Sequence, residues 1–461
     1  MSTHVLLISH AYPPDSSAGT ERYTARLARG LQARGWRVTV LTGRLRPGRA
    51  QYTVERSEID GVDVLGVVQN WPYRDLPEAT DDPALDRVFA RLLDELAPDL
   101  VAIQTLHGLS WGFVDVAAEA GIPVVLHLHD GGIVCPAGGQ RRHPDGSLCM
   151  PVEPARCGAC FDTFRHREGP LERWSRAAAA RLPGAVPPDT LHRAFTALPG
   201  PARAAMKRAN ERGAQWLGRL RSREPAVGVD PRIAERRARM QEVLGRCALA
   251  VSPSRFLAQS LEADGVPLPP WQVVPTGVDG TASPPPPAPP LRVLFLGTFV
   301  EHKGPQILAD ALAGLSEDEA AGIVARAVGP APFPAWRDAL QDRSRGRLRI
   351  EGPVPAAEVP ALLAAHHVLV VPSLWAENAP LVVLEARAAG RIVVASDLGG
   401  LVELVEDPSL RFPAGDADAL AAILRGLPER RAGLTVAPPR SIDAWAAAMI
   451  AVWTPLLRSD P

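Results

Sequence analysis

Only two lysines, Lys207 and Lys303, stand among 50 cationic side chains; the rest are arginine. Lys303 follows the apolar run Arg292-Val293-Leu294-Phe295-Leu296 and the loop residues Gly297 and Thr298, and it precedes Gly304. A strand, a glycine loop and a helix start in that order offer unpaired amides and the positive end of a helix dipole, to which an ammonium adds a full charge. That combination suits a diphosphate and would stabilise a departing one with no metal required for catalysis. The competing reading is a solvated lysine in a surface turn, which the scarcity of lysine weakens.

Further along, Trp375-Ala376-Glu377-Asn378-Ala379-Pro380-Leu381 follows the apolar run Val368-Leu369-Val370-Val371, and Glu385 stands eight positions after Glu377. Pro380 suits the first turn of a helix. Glu377 is then expected in the loop at a strand's C-terminal end, where open α/β sheets bind ligands, and Glu385 on the helix behind it. Carboxylates bond well to vicinal hydroxyls, so one would hold a sugar and the other a ribose. The alternative is a helix-capping Glu377 and a merely exposed Glu385, and the eight-residue spacing by itself decides nothing. His127-Leu128-His129-Asp130 ends another apolar run; Asp130 would orient His129 or cap the next turn.

Four of the five cysteines are Cys135, Cys149, Cys157 and Cys160, in a stretch rich in Gly, Pro and Arg that reads as a loop with little core of its own. Four thiolates suit tetrahedral zinc, and the expectation is a structural zinc ion, with an iron–sulfur cluster as the weaker alternative. The fifth, Cys247, reads as a small core residue.

Strands and helices must carry these groups. Val5-Leu6-Leu7-Ile8, Val38-Thr39-Val40-Leu41, Leu100-Val101-Ala102-Ile103 and Val124-Val125-Leu126 alternate with helix-period segments, one of which starts at Glu21, repeats Tyr23, Leu27 and Leu31, and stops at Gly35. A second series opens at Arg292 and includes Leu348-Arg349-Ile350, Val368–Val371 and Ile392-Val393-Val394. Alternation of this kind predicts parallel sheets in an α/β protein. Between the series, six prolines in the eight positions 283–290 predict an extended spacer. The expected division is a domain over 1–280, with a Cys-rich loop at 135–160 and a basic helical insertion at 161–246, a linker at 281–290, a second domain over 291–440, and a terminal helix over 441–461 that packs back on the first domain.

With these motifs in place, Gly-Thr-Phe-Val-Glu-His-Lys-Gly at 297–304, the Trp375–Glu385 segment and Gly399-Gly400-Leu401-Val402-Glu403 resemble retaining glycosyltransferase family 4, the group 1 glycosyl transferases. The resemblance implies a GT-B architecture, two Rossmann-like domains facing across a cleft, and transfer from a nucleotide-activated sugar with retained anomeric configuration. It makes Lys303 a diphosphate ligand, Glu377 a donor-sugar ligand assisted by amides near Asn378, Ala379, Pro380 and Leu381, and Glu385 a ribose ligand. Gly297, Thr298 and Gly304 would line the donor site. It places His129 against the sugar near the reacting centre. Tyr12-Pro13-Pro14 and Ala18-Gly19-Thr20-Glu21-Arg22 resemble the family's N-terminal loop, bringing Gly19 toward the diphosphate or acceptor. Many members carry an arginine as a second phosphate ligand where this chain has Thr298, which leaves Lys303 as the principal cationic side chain on the leaving group.

Composition bounds the rest. A formal net charge of −1 gives no reason to expect nucleic acid, and 46% hydrophobic with 22% charged residues is ordinary for a globular chain. The first residues lack a basic n-region and a long apolar stretch, so the expected location is cytoplasmic. Residues 161–246 hold 18 Lys or Arg against 9 Asp or Glu, with Trp174, Phe195, Trp216 and Leu220 among them. Peripheral contact with anionic membrane at its inner face is one reading of that surface, and a solvated charge run is the other. The leading expectation is transfer of a sugar from a UDP- or GDP-sugar to a saccharide or lipid-linked saccharide acceptor in polysaccharide or glycoconjugate biosynthesis. The alternatives are a nucleotide-sugar epimerase or hydrolase on the same fold, and a catalytically silent sugar-nucleotide sensor or scaffold.

Overall fold

A computed structural model describes residues 2–457 except 17, 47–48, 71–75, 78, 165–200, 202–204, 206–227 and 333. Most of the basic insertion, with Lys207 and its aromatic residues, therefore lies outside the described residues. The chain divides into two compact units: Met1–Ser252, Ala258–Gln272 and Ile450–Pro461 form the first, Pro253–Leu257 and Val273–Met449 the second.

The first sheet contains β1 (His4–Ser9), β2 (Arg37–Arg44), β3 (Val54–Ile59), β4 (Val62–Val68), β5 (Leu100–Ile103), β6 (Val124–His127), β7 (Leu249–Ser252) and β8 (Trp271–Val273), in the order β3-β4-β2-β1-β5-β6-β7-β8. The four expected strands β1, β2, β5 and β6 pair in parallel. Val5, Leu6, Leu7 and Ile8 are fully buried, as expected where helices cover both faces of a sheet. The helix Gly19–Ala33 lays Tyr23, Leu27 and Leu31 inward, and Gly35 follows with a positive φ of 82°. Antiparallel β3 and β4 join through Asp60 and Gly61, both at positive φ. That dipeptide is a favoured two-residue hairpin turn.

In the second unit, β9 (Leu291–Leu296), β10 (Ile323–Val328), β11 (Leu348–Glu351), β12 (Val368–Val371), β13 (Ile392–Ser396) and β14 (Arg411–Phe412) run in the order β11-β10-β9-β12-β13-β14, all parallel. Val293, Leu294, Val370 and Val394 form its core with Leu308 and Leu312 of the helix Pro305–Ala313 and Leu420 and Leu424 of the helix Ala417–Arg430. The proline run lies along this unit: Arg391 donates to the carbonyls of Ser283 (2.5 Å) and Pro284 (3.3 Å), and His367 Nε2 is 2.8 Å from the carbonyl oxygen of Pro286.

The last helix, Ile442–Trp453, buries Trp445, Met449 and Trp453 completely. Trp453 counts with the first unit, where its ring lies 6.0 Å from that of Trp36 and 5.8 Å from that of His127. No helix among the described residues is long and apolar enough to cross a membrane.

Candidate active site

In the second sheet the chain steps from β9 to β10 on one side and returns to β12 on the other, so the strand order reverses between β9 and β12. Ligands in open parallel sheets bind outside the carboxyl ends of the strands at such a reversal. The loop after β9 carries Gly297, Thr298 and Lys303, and the loop after β12 carries Ser373, Trp375 and Glu377.

Across this point Lys303 Nζ meets Glu377 Oε1 at 2.7 Å, and Ser373 Oγ donates to the same oxygen at 2.9 Å. Lys303 also lies 5.0 Å from the centre of the Trp375 ring, within cation–π range. Glu377 is only 5% exposed. Burial pushes its carboxyl up, but the Lys303 charge and the hydrogen bonds outweigh burial and hold it below the ordinary range. Lys303 and Glu377 are thus not isolated ligands but one charged pair. Ser373 and Trp375 were missed in the sequence because neither belongs to a periodic pattern; the turn that follows β12 delivers them.

Two glycines make this closeness feasible. Gly304 has φ 71°, and a Cβ there would fall 1.7 Å from the carbonyl of Pro372; a Cβ on Gly400 would fall 1.8 Å from that of Asn378. Gly400 instead donates its amide to the Glu377 carbonyl at 2.7 Å, which pins the loop that aims the carboxylate. Pro380, extended with no side-chain cap, immediately precedes the helix Leu381–Ala388, so it stands just outside the first turn. Half-buried Glu385 is on that helix. Pro380 puts no side-chain cap on the amide end of this helix, the kind of helix start at which anions bind. Glu403 accepts from the amides of Arg255 (3.0 Å) and Phe256 (2.5 Å), a capping task rather than a chemical one.

The first unit repeats the arrangement. Its strand order reverses between β1 and β5, and His10 after β1, Gln104 after β5 and His129 after β6 stand at the strand ends. His129 Nε2 is 3.2 Å from Gln104 Oε1, and Tyr23 packs edge-on against the His129 ring at 4.4 Å. Tyr23 Oη also lies 3.1 Å from His127 Nδ1. Glu21, nearly sealed from solvent, accepts from Ser16 Oγ at 2.6 Å and lies 3.4 Å from His10 Nε2. Burial first, then His10, lowers His129 to about 3, with Glu21 opposing; the ring is neutral at pH 7. Asp130 accepts from the amide of Gly132 at 2.7 Å, so it caps the next turn. Gly19 is exposed at the first position of its helix, whose N-terminus also has no side-chain cap.

The cysteine segment differs from the loop expected of it. Cys157 and Cys160 lie on the helix Pro154–Phe164, because Pro154 is tolerated in a first turn and Ala155, Arg156 and Ala159 favour helix. All five cysteines are free thiols, and Cys247 is buried.

A family model described as "Glycosyl transferases group 1" matches residues 290–429, and a "Glycosyl transferase 4-like domain" matches 18–153. The chain belongs to the group 1 glycosyltransferases. A phosphatidyl-myo-inositol mannosyltransferase of Mycobacterium leprae is 33% identical over 202 residues, 40% of this chain and 51% of that protein. A D-inositol 3-phosphate glycosyltransferase of Corynebacterium efficiens is 34% identical over 145 residues, 29% of this chain and 34% of that protein. The chain spans about half the length, or less, of these curated relatives. Among solved structures, sucrose-phosphate synthase from Thermosynechococcus elongatus superposes with a TM-score of 0.64 at 18% identity, covering 98% of this chain and 99% of that one. Anabaena HepE in complex with UDP and glucose gives 0.57 at 16% identity, covering 98% and 99%. This group 1 glycosyltransferase has the GT-B fold, built here from two parallel-sheet α/β units.

Proposed function

We propose that this chain transfers a sugar from a UDP- or GDP-sugar to a saccharide or lipid-linked saccharide acceptor, with the anomeric configuration retained, in glycoconjugate or polysaccharide assembly. The observation that carries this reading is the Lys303–Glu377 pair at the strand-order reversal of the second sheet, beside a helix start without a side-chain cap. Two relatives are named for phosphatidyl-myo-inositol and for D-inositol 3-phosphate, polyhydroxylated rings of which the first is lipid-linked, and they support a hydroxyl-rich acceptor. HepE, solved with UDP and glucose, supports a UDP-sugar among the candidate donors.

In this proposal Lys303 and the amides of Asn378, Ala379 and Leu381 take the charge that develops on the leaving diphosphate, with Gly297, Thr298 and Gly304 letting it approach the backbone. Catalysis then needs no metal. Glu377 releases part of its bond to Lys303 and accepts from hydroxyls of the transferred sugar, while Glu385 accepts from the ribose. A neutral His129 hydrogen-bonds the sugar; a ring whose proton affinity burial has lowered so far is a poor general base at neutral pH. The leaving phosphate itself helps to take the acceptor's proton.

A thermal-shift panel of UDP- and GDP-sugars identifies the donor, and product analysis with candidate acceptors reads transfer and configuration. Lys303→Ala is expected to lower turnover by about 100-fold or more, the scale of one lost transition-state partner. Substantial residual transfer by that variant would sink the assignment. Nucleotide release without any acceptor product would favour a hydrolase, and tight donor binding with no turnover a sensor.

A further inference from the structure

The four clustered cysteines take no part in the proposed transfer, yet the fold gathers them. Cys135 follows the turn Gly131–Ile133, its amide bonded to the Gly131 carbonyl at 2.8 Å. Residues 141–149 fold back as a small hairpin: His143 donates its amide to Ser147 O, Arg142 bridges Leu148, and Cys149 donates its amide to Arg141 O at 2.7 Å. Cys157 and Cys160 stand three apart on the helix Pro154–Phe164, a spacing that puts both on one face. Three separate pieces of chain therefore converge. Glu153 is where the hairpin and the helix meet: its carbonyl accepts from Cys157 Sγ at 3.5 Å, and its Oε1 lies 3.1 Å from His143 Nε2.

The Glu153 amide donates to Cys149 Sγ at 3.5 Å, and His143 Nδ1 lies 3.4 Å from Cys160 Sγ. Arg236, buried, donates to the carbonyls of Gly132 (2.6 Å) and Ile133 (2.9 Å), just ahead of Cys135, and lies over the Trp111 ring. Among the described residues the local core is small, with Leu76, Cys157, Phe161 and Ile233 its buried members. A segment with so little apolar surface gains order from a cross-link.

We propose that Cys135, Cys149, Cys157 and Cys160 bind one zinc ion as a tetrathiolate and so fix the chain that follows His129. Among the described residues no three ligands already surround a common point; metal entry goes with rotation of the thiols about χ1. Four Zn–S bonds form, four S–H protons pass to solvent, and nothing is oxidised. The site then carries two negative charges, which Arg236 partly offsets from behind. Cys135 is six residues beyond His129, so the ion acts on the active-site loop through position rather than chemistry.

The test is metal content of the full-length protein purified anaerobically without chelator. The expected result is about one zinc per chain, falling to about one fifth of that or less in Cys157→Ser and Cys160→Ser but unchanged in Cys247→Ser. Cobalt exchanged into the wild type is expected to show the visible bands and sulfur-to-metal charge transfer of a tetrahedral tetrathiolate, a readout independent of whether the serine variants fold. A wild-type protein without zinc whose four thiols react freely, iron in place of zinc, or equal zinc in wild type and both variants would each overturn the proposal.

Discussion

Glu377 shows how one side chain takes its character from neighbours distant in sequence. A carboxylate this deeply buried would by itself favour the neutral form; the Lys303 ammonium at 2.7 Å and the Ser373 hydroxyl reverse that preference. Its folded pKa lies below the unfolded one, so the pair's contribution to stability is complete above the ordinary carboxyl range near 4.5 and disappears as pH falls through the folded value. Thermal melts of the wild type are expected to drop below about pH 4.5, and Glu377→Gln to flatten that part of the curve. At neutral pH the same substitution leaves Lys303 without its counter-charge and is expected to destabilise by about 1–3 kcal/mol. A melting curve with the same acid slope in both proteins would show that the pair is not coupled to folding.

At the scale of elements, the donor loop is held by backbone, not by side chains. Gly400 gives its amide to the Glu377 carbonyl, and any Cβ there collides with Asn378. Gly400→Ala is therefore expected to displace the 375–379 turn, raise the donor KM at least about tenfold, and cost more than about 1 kcal/mol in stability; an unchanged KM would show that the turn does not aim Glu377 at the donor. The strands that carry the site were legible because buried parallel strands are continuous apolar runs: Val5–Ile8, Leu100–Ile103, Val124–Leu126, Arg292–Leu296 and Val368–Val371 all lie within strands. The β3–β4 hairpin escaped notice although Asp60-Gly61 announces it. β3 mixes charged and apolar residues, as an edge strand partly open to water allows, and so lacks the continuous run.

The whole molecule adds two further outcomes. His127 and His129 both lie well below the ordinary histidine range, each chiefly because of burial. Unfolding lets them take up protons, so stability is expected to fall as pH drops below about 6.5, well before Glu377 titrates. His127→Gln is expected to reduce that slope between about pH 6.5 and 4.5; an identical slope would exclude His127 as a contributor. The second outcome concerns the chain's far end. Trp453, fully buried beside Trp36 and His127, completes the core of the first unit from more than 300 residues away in sequence. Trp453→Ala is expected to cost about 3–5 kcal/mol, read as a lower Tm.

The sequence by itself determined the two α/β series, the family and the set of polar residues available to the site, because apolar runs fix strands locally, Lys303, Glu377 and His129 follow those runs, and Glu385 stands on the helix behind Glu377. It could not determine which of those residues meet. The Lys303–Glu377 pair joins side chains 74 positions apart, and it exists only because β9 and β12 are neighbours while β10 and β11 lie on the other side. Strand order is a property of long-range packing, with no local signature for a periodicity to reveal. The same holds for Tyr23, which reads as one more apolar step of its helix and stands between His127 and His129 only once β1, β5 and β6 are assembled.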